Sequence, residues 1–220
     1  MDLTEFTLHR LADGTLVRIR PLRPADRERL LAGFERFSPE SRYRRFFTPT
    51  PRLTEGMIER LLDLDGHHRF ALGAEQPWLG FLPGPGVGIA RFTRDDHDPR
   101  RAEIAISIID DMQGRGLGSL LLRELADAAL DRGIDRFEAW VQPDNEPMKT
   151  LIYNLDPDAT CHSEDGLLVY EMKLRRDAHR ERDRTRKLDW SVALEPAGWL
   201  ADGVCQLLPG RVAEAITRTR

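Results

Sequence analysis

The stretch DDMQGRGLGSLLLRELADAAL, Asp110 to Leu130, places three glycines within five residues directly before a strongly apolar segment. Glycine has no Cβ, so backbone N–H groups can approach a ligand closely, and a helix start offers unpaired N–H groups at its positive end. Leu121 and Leu125 belong to an apolar pattern at helical spacing that ends at Gly133. The stretch therefore predicts a loop and helix start suited to an anion, most often a phosphate.

Two common phosphate-binding patterns do not fit this loop. A dinucleotide fingerprint needs glycines at relative positions one, three and six, but counted from Gly114 the sixth position is Ser119. A Walker loop ends in Gly-Lys-Ser/Thr, and no lysine follows Gly118. The pattern that remains is Gln-x-x-Gly-x-Gly, formed by Gln113, Gly116 and Gly118.

The segment before the loop, AEIAISII at 102–109, alternates in the way of a strand. Ile104, Ile106 and Ile108 lie on one face, whereas Glu103 shares the other face with Ala105, Ser107 and Ile109. A strand extends about 20 Å from Glu103 to Ile109 at roughly 3.3 Å per residue. Glu103 is therefore predicted to stand well away from the phosphate loop, with small side chains beside it.

Alternating or short apolar runs predict further strands elsewhere in the chain. These strands are TLVRIR at 15–20, HRFALGA at 68–74, VGIARFTR at 87–94, RFEAWV at 136–141 and LLVYEMKL at 167–174. Helices are predicted around Leu30, from the start signals at Ser38 and Thr54, and over 145–155. The predicted order is strand, helices, three strands, helix, strand, helix, strand.

The loop pattern resembles the acyl-CoA pyrophosphate loop of the GNAT family, the GCN5-related N-acetyltransferases. The resemblance covers roughly Thr7 to Leu174 and is closest for the catalytic domain of bacterial protein lysine acetyltransferases. It rests on DGTLVRIRPLRPAD, FSPESRYRRFF, AEIAISIIDDMQGRGLG and NEPM. It implies an α/β (α+β) fold, in which a mixed, mostly antiparallel sheet is split by an acyl-CoA cleft and flanked by helices.

The resemblance implies acetyl-CoA as co-substrate and no metal. In the family, backbone amides of the loop hold the pyrophosphate, and the preceding strand binds the pantetheine arm and polarises the thioester. The implied cofactor-binding residues are Ile106, Ser107, Ile108, Ile109, Gln113, Gly114, Arg115, Gly116, Leu117, Gly118, Ser119 and Asn145. A helix cap is the alternative role for Asn145.

Glu103 matches the catalytic glutamate of lysine-acetylating members of the family. Amine acetylation needs a group that removes a proton from the acceptor, because a free lysine is almost fully protonated near neutral pH. Glu103 is therefore the predicted general base; the alternative is a solvated carboxylate paired with Arg101 or Arg91.

Many family members carry a tyrosine as general acid seven residues after the asparagine, where this chain has Ile152. Tyr153, one position later, is the nearest candidate for that role. It faces about 140° away from Met148 around the helix, and an acid is not strictly required because a CoA thiolate can leave without one. Asp156 stands where the family usually has glycine, which leaves the shape of that turn open.

The resemblance implies a GNAT domain over residues 1–174. The remainder, 175–220, begins with the charged run RRDAHRERDRTRK and continues into a segment that contains Trp190 and Trp199. We expect this amphipathic extension to cover part of the domain or a partner subunit, and the second case would make the protein a homo-oligomer.

The composition excludes some classes of function. The chain has 220 residues, a formal net charge of -4 and a pI near 5.9, which favour neither nucleic acid nor an anionic membrane surface. No apolar run approaches the ~20 residues of a membrane span, and MDLTEFTLHRLADG lacks a signal-peptide core. Cys161 and Cys205 share no metal-ligand spacing. We therefore expect a soluble, cytoplasmic protein.

Three functions remain open at this point. The leading one is acetyl transfer to a primary amine, either a protein lysine or a small molecule. The second is a non-catalytic acyl-CoA-binding regulator, and the third is an interaction module that acts through its C-terminal extension. The arginines of SRYRRFF, Arg42, Arg44 and Arg45, are expected near the cleft entrance, where they would guide CoA phosphates or an acidic substrate; an exposed helix face is the alternative.

Overall fold

One mixed sheet organises the described residues, which are 6–49, 52–78 and 83–176 of a computed structural model. Its strands are β1 (Thr7–Arg10), β2 (Leu16–Pro21), β3 (Arg69–Glu75), β4 (Gly86–Arg94), β5 (Arg101–Ile108), β6 (Arg136–Val141), β7 (Thr160–Glu164) and β8 (Leu167–Lys173). The strand order is β1-β2-β3-β4-β5-β6-β8-β7, and only β5 and β6 are parallel neighbours. This confirms the expected mixed, mostly antiparallel sheet.

The helices of the described ranges are α1 (Arg27–Glu35), α2 (Pro39–Phe46), α3 (Glu55–Leu62), α4 (Leu117–Leu130) and α5 (Glu146–Leu155). Ser38 and Thr54 cap α2 and α3 by accepting hydrogen bonds from the amides of Ser41 and Met57, as the start signals predicted. None of these helices is both long and apolar enough to cross a membrane.

The sheet divides in the middle, between β5 and β6. These strands pair over only three positions, from Arg101 opposite Arg136 to Glu103 opposite Glu138, whereas β5 stays paired with β4 as far as Ile108. Beyond Glu103, β5 therefore has a sheet partner on one side only. The opening in the sheet begins at Glu103.

Alternate residues of β4 and β5 serve two helix layers. Phe92 and Ile104 belong to the main buried core, together with Leu121 and Leu125 of α4. Arg91 and Ala105 instead line a cavity beneath α1 and α2. The face that carries Glu103, Ala105 and Ser107 is thus the face covered by α1 and α2.

A buried charge network fastens the start of α1 to β2 and β3. Glu75 is only 3% exposed and accepts hydrogen bonds from Arg18, Arg20 and Arg29. Arg20 also donates two hydrogen bonds to Asp26, at 2.8 and 2.6 Å. Removing Glu75 would take this partner from the equally buried Arg18, and breaking a buried ion pair typically costs about 3–5 kcal/mol.

The predicted order of strands was incomplete, because it lacked β1 and β7. Both are edge strands, and every residue of β7 is exposed, so no alternation of buried and exposed residues marks it in the sequence. The strand predicted at 102–109 runs from Arg101 to Ile108. Apart from its first two residues, the extension predicted over 175–220 lies outside the described residues, and the domain boundary at 174 stays a prediction.

Candidate functional site

A cleft of about 520 Å³ follows the opening in the sheet. Its walls come from the second half of β5, the glycine loop with the start of α4, and the helices α2 and α5. The predicted cofactor-binding residues that line it are Ile106, Ser107, Ile108, Gln113, Gly114, Gly116, Gly118, Ser119 and Asn145. Most of the predicted set is therefore gathered around one cleft.

The three glycines of the loop are required for different structural reasons. Gly114 and Gly116 have φ angles of +71° and +87°, which L side chains rarely adopt. Gly116 immediately precedes α4, and no described side chain caps that helix start, so its first amides remain free of a cap. Gly118 lies so close to α5 that a Cβ would stand 3.1 Å from Leu151. Two glycines thus shape the loop, and the third lets two helices meet.

Gln113 links three parts of the cleft wall. Its Nε2 donates to the carbonyl of Ile108 at 3.0 Å and to Ser41 Oγ at 3.2 Å. The side chain therefore bridges the end of β5 and the first turn of α2.

Three members of the predicted set do not line the cleft. Ile109 and Leu117 are 1% and 0% exposed, and their side chains belong to the buried core. Arg115 directs its guanidinium to Asp13, with Nε 2.5 Å from the carboxylate, and to the sulfur of Met112. Any contact that Ile109 and Leu117 make with a ligand must therefore come from their backbone.

Asn145 serves as the cap of α5. Its Oδ1 accepts a hydrogen bond from the amide of Met148 at 3.2 Å, which is the alternative role expected for it. Because Asn145 also lines the cleft, the cap and the cleft wall are the same residue. Asp156, at the far end of α5, is 5% exposed and accepts hydrogen bonds from the amides of Asp158 and Lys173, which fastens α5 to β8.

Glu103 lies at the closed end of the opening, where β5 and β6 separate. Its side chain is exposed on one side, yet burial of the carboxyl by the surrounding protein raises its pKa. The neighbouring carboxylate of Glu138 raises the pKa further, whereas Arg45 of α2 and Arg91 of β4 lower it. A raised pKa strengthens a carboxylate as a base near neutral pH.

The two arginines named as alternative partners of Glu103 behave differently. Arg101 forms ion pairs with Asp95 at 2.6 Å and with Glu138 at 3.3 Å, instead of with Glu103. Arg91 does interact electrostatically with Glu103 and donates a hydrogen bond to the carbonyl of Arg60.

Two further residues shape the surroundings of Glu103. Glu138 is held by Arg101 and by a 3.0 Å hydrogen bond from Trp140 Nε1. Arg45 lines the cleft, and burial together with the charge of Arg91 lowers its pKa to about 10. The sequence carries no local signal for Glu138, because only the register between β5 and β6 places it beside Glu103.

Tyr153 lies apart from the residues that line the cleft. It is 44% exposed, and its ring packs edge-on against Tyr170 of β8 with the centroids 5.9 Å apart. Burial, Cys161 and Tyr153 together raise the pKa of Tyr170. This placement gives no support to the proposed acid role of Tyr153, which stays a prediction.

Two adjacent histidines, His67 and His68, lie in a turn before β3. Asp65 accepts hydrogen bonds from the amides of His67, His68 and Arg69 at 2.8, 2.7 and 2.9 Å. These backbone bonds lower the pKa of Asp65 to about 2. Within the described ranges, no group of three or more His, Cys, Asp or Glu side chains is arranged to hold a metal ion.

Known proteins are similar to this chain in sequence and in fold. Residues 39–152 match the Acetyltransferase (GNAT) family. Acetyltransferase Pat of Mycolicibacterium smegmatis is 37% identical over 137 residues, which cover 62% of this chain and 40% of that protein. Acetyltransferase PA5475 of Pseudomonas aeruginosa is 34% identical over 154 residues, which cover 67% of this chain and 81% of that protein.

A solved GNAT structure also resembles this chain. The crystal structure of the GNAT domain of S. lividans PAT superposes with a TM-score of 0.69 at 33% identity, covering 77% of this chain and 97% of that one. The region shared with the mycobacterial relative is less than half of that protein's length.

Proposed function

Since the chain belongs to the GNAT acetyltransferase family, we propose that it transfers the acetyl group of acetyl-CoA to a primary amine. The proposed acceptor is the side chain of a protein lysine. Glu103 is the general base of this proposal. The observation that carries it is the course of β5, whose pairing with β6 ends at Glu103 and whose residues from Ile106 onward line the cleft at the glycine loop.

The glycine loop is the proposed site of the CoA pyrophosphate. Gly114 and Gly116 give the backbone its positive φ angles, and the uncapped start of α4 supplies N–H groups at the positive end of a helix. No lysine or metal is needed for this contact. The pantetheine arm would then follow β5, whose edge beyond Glu103 lacks a sheet partner.

The proposed chemistry is direct attack by the amine. Glu103 removes a proton from the acceptor ammonium, and the neutral amine attacks the thioester carbonyl. The nitrogen of the tetrahedral intermediate loses its second proton, and the oxyanion collapses to the amide as the C–S bond breaks. The CoA thiolate leaves and takes up a proton to become the free thiol. Burial and Glu138 raise the pKa of Glu103, which supports its role as a base.

The acceptor and the cellular location rest on the resemblance. The chain resembles the catalytic domains of bacterial protein lysine acetyltransferases, and this resemblance supports a protein acceptor in the cytoplasm. Glu103 is exposed on one side, so a lysine on the surface of another protein can reach it. A small-molecule amine is the alternative acceptor.

Release of free CoA thiol tests this proposal. The full chain would be incubated with acetyl-CoA and with a panel of small amines, lysine peptides and cellular protein. We expect faster thiol release with lysine peptides or proteins, and acetyl-lysine in the products. Binding of acetyl-CoA without release above buffer would favour the non-catalytic regulator, and release with small amines alone would replace the acceptor.

A further inference from the structure

We infer that Asp110 is a positioning residue for acetyl transfer, which fastens the start of α2 to the glycine loop and so fixes α2 as a wall of the cleft. Asp110 lies in the short turn between β5 and the loop. The inference rests on the proposed function, because the cleft matters only if it holds acyl-CoA.

The carboxylate of Asp110 receives three hydrogen bonds from the cap residue and the first turn of α2. The amide and the hydroxyl of Ser38 donate to it at 2.8 Å each, and the hydroxyl of Ser41 donates at 2.9 Å. Ser38 and Asp110 are 72 residues apart in the chain. One side chain therefore joins the N-terminus of a helix to a turn that is distant in sequence.

A second contact closes the same network. Ser41 Oγ, which donates to Asp110, also accepts a hydrogen bond from Gln113 of the proposed pyrophosphate pattern. Gln113 in turn donates to the carbonyl of Ile108 at the end of β5. The loop, the strand and α2 are thus held by one set of hydrogen bonds, and Asp110 is the only charged member among the residues named.

The helix that Asp110 fastens reaches the chemical end of the cleft. Ser41, Arg44 and Arg45 all line the cleft, and Arg45 also interacts electrostatically with Glu103. An α-helix of the eight residues in α2 is about 12 Å long. Displacement of its first turn would therefore move Arg45 relative to Glu103.

Asp110 is suited to a role that needs a constant negative charge. Partial burial works to raise its pKa, but the hydrogen bonds from Ser38 and Ser41 outweigh it and lower the pKa below the ordinary value. Asp110 thus stays ionised wherever Glu103 acts as a base. The next residue provides a matched control, because the Asp111 side chain is 83% exposed and lies 3.9 Å from Arg36.

The experiment compares Asp110→Ala, Asp110→Asn and Asp111→Ala in the full chain. We would measure kcat, the KM values for acetyl-CoA and amine, the pH dependence of kcat/KM and the melting temperature. We expect Asp110→Ala to lower kcat/KM about tenfold or more, since small misplacements in an active site have large effects on rate. Asp110→Asn keeps a hydrogen-bond acceptor and should lose less, and Asp111→Ala should match the unmodified chain.

The pH profile separates positioning from general loss of stability. Glu103 faces Glu138 from β6, Arg91 from β4 and Arg45 from α2, and both arginines lower its pKa. If α2 moves and Arg45 withdraws, the pKa of Glu103 rises, and the acidic limb of the kcat/KM profile shifts to higher pH. A lower melting temperature with the limb unmoved and kcat/KM equal to Asp111→Ala would overturn the inference.

Two further measurements keep the outcome decisive. If Asp110→Ala does not fold, Ser41→Ala removes the bridge between Asp110 and Gln113 and should shift the same limb; an unshifted limb would refute positioning. If the unmodified chain transfers no acetyl group, the proposed function fails on its own. Acetyl-CoA affinity by calorimetry then decides, since equal affinity in Asp110→Ala and Asp111→Ala would contradict the inference.

Discussion

The two ends of β5 are built in different ways. At the loop end, the features are properties of the backbone: Gly114 and Gly116 with positive φ angles, and the uncapped start of α4. At the Glu103 end, the features are side chains brought from β4, β6 and α2. A site made of backbone leaves a spacing pattern in one short stretch of sequence, whereas a site made of assembled side chains leaves single residues with no pattern between them.

The largest effect is expected from a substitution of Glu103. Glu103→Gln keeps the size of the side chain but removes the base, so kcat near pH 7 should fall by a factor of roughly 10² to 10⁴. The loss should shrink as pH rises, because more of the amine then arrives neutral. The measurement is the pH profile of kcat for both proteins, together with acetyl-CoA affinity, which should not change.

Glu171→Gln is the matched control for this change. Glu171 lies opposite Glu138 on the next strand, so the three glutamates follow one line across β5, β6 and β8. We expect unchanged kcat for this variant. An equal loss in both variants, or none in Glu103→Gln, would remove Glu103 from the mechanism.

The loop end should respond through affinity. Gly116→Val places a β-branched residue at φ +87°, where a non-glycine residue costs roughly 1–2 kcal/mol. Because the strain falls on the loop, CoA affinity measured by calorimetry should drop about tenfold or more. Gly133→Val carries the same backbone cost at φ +78° on the far end of α4, with equal open space for a Cβ. Equal affinity in the two variants would show that the loop does not hold CoA.

Smaller effects are expected from substitutions of the charged neighbours of Glu103. Glu138 raises the pKa of Glu103, so Glu138→Gln should lower that pKa and move the acidic limb of kcat/KM to lower pH. Arg91 lowers the same pKa, so Arg91→Gln should move the limb to higher pH. Shifts in the same direction for both variants would mean that the limb does not report Glu103.

The smallest effect is expected at Tyr153. Its ring lies against Tyr170 and apart from the residues that line the cleft, so Tyr153→Phe should change kcat by no more than about twofold, as for an ordinary surface substitution. The measurement is kcat above pH 8, where slow protonation of the thiolate would show most clearly. A loss of tenfold or more would restore Tyr153 as the general acid.

The sequence predicted the features that depend on local patterns and missed those that depend on distant contacts. The helix starts at Ser38 and Thr54, the glycine-rich turn before α4 and the apolar face of α4 all follow from local patterns, and the structure contains them. The neighbours of Glu103 do not follow from local patterns. Glu138 stands 35 positions beyond Glu103 in the numbering and reaches it only through the parallel register.

The missed strands have a related cause. β1 and β7 lie at the two edges of the sheet, where a strand has one neighbour and buries little. The buried network around Glu75 was also unpredictable, because its arginines come from β2 and α1 and look like ordinary surface charges in sequence. Asp110 belongs to the same class, since its partners Ser38 and Ser41 come from a distant helix.

The early end of the β5–β6 pairing has a consequence for amide hydrogen exchange. Successive N–H groups of a strand point to opposite sides, so between residues 104 and 108 they alternate between β4 and the cleft. Amides that face β4 should exchange slowly whether or not a ligand is present. Those that face the cleft should exchange quickly in the free protein and slow down when acyl-CoA fills it. In the free protein, every second amide of this part of β5 would thus be protected from exchange, and the alternation would disappear on binding.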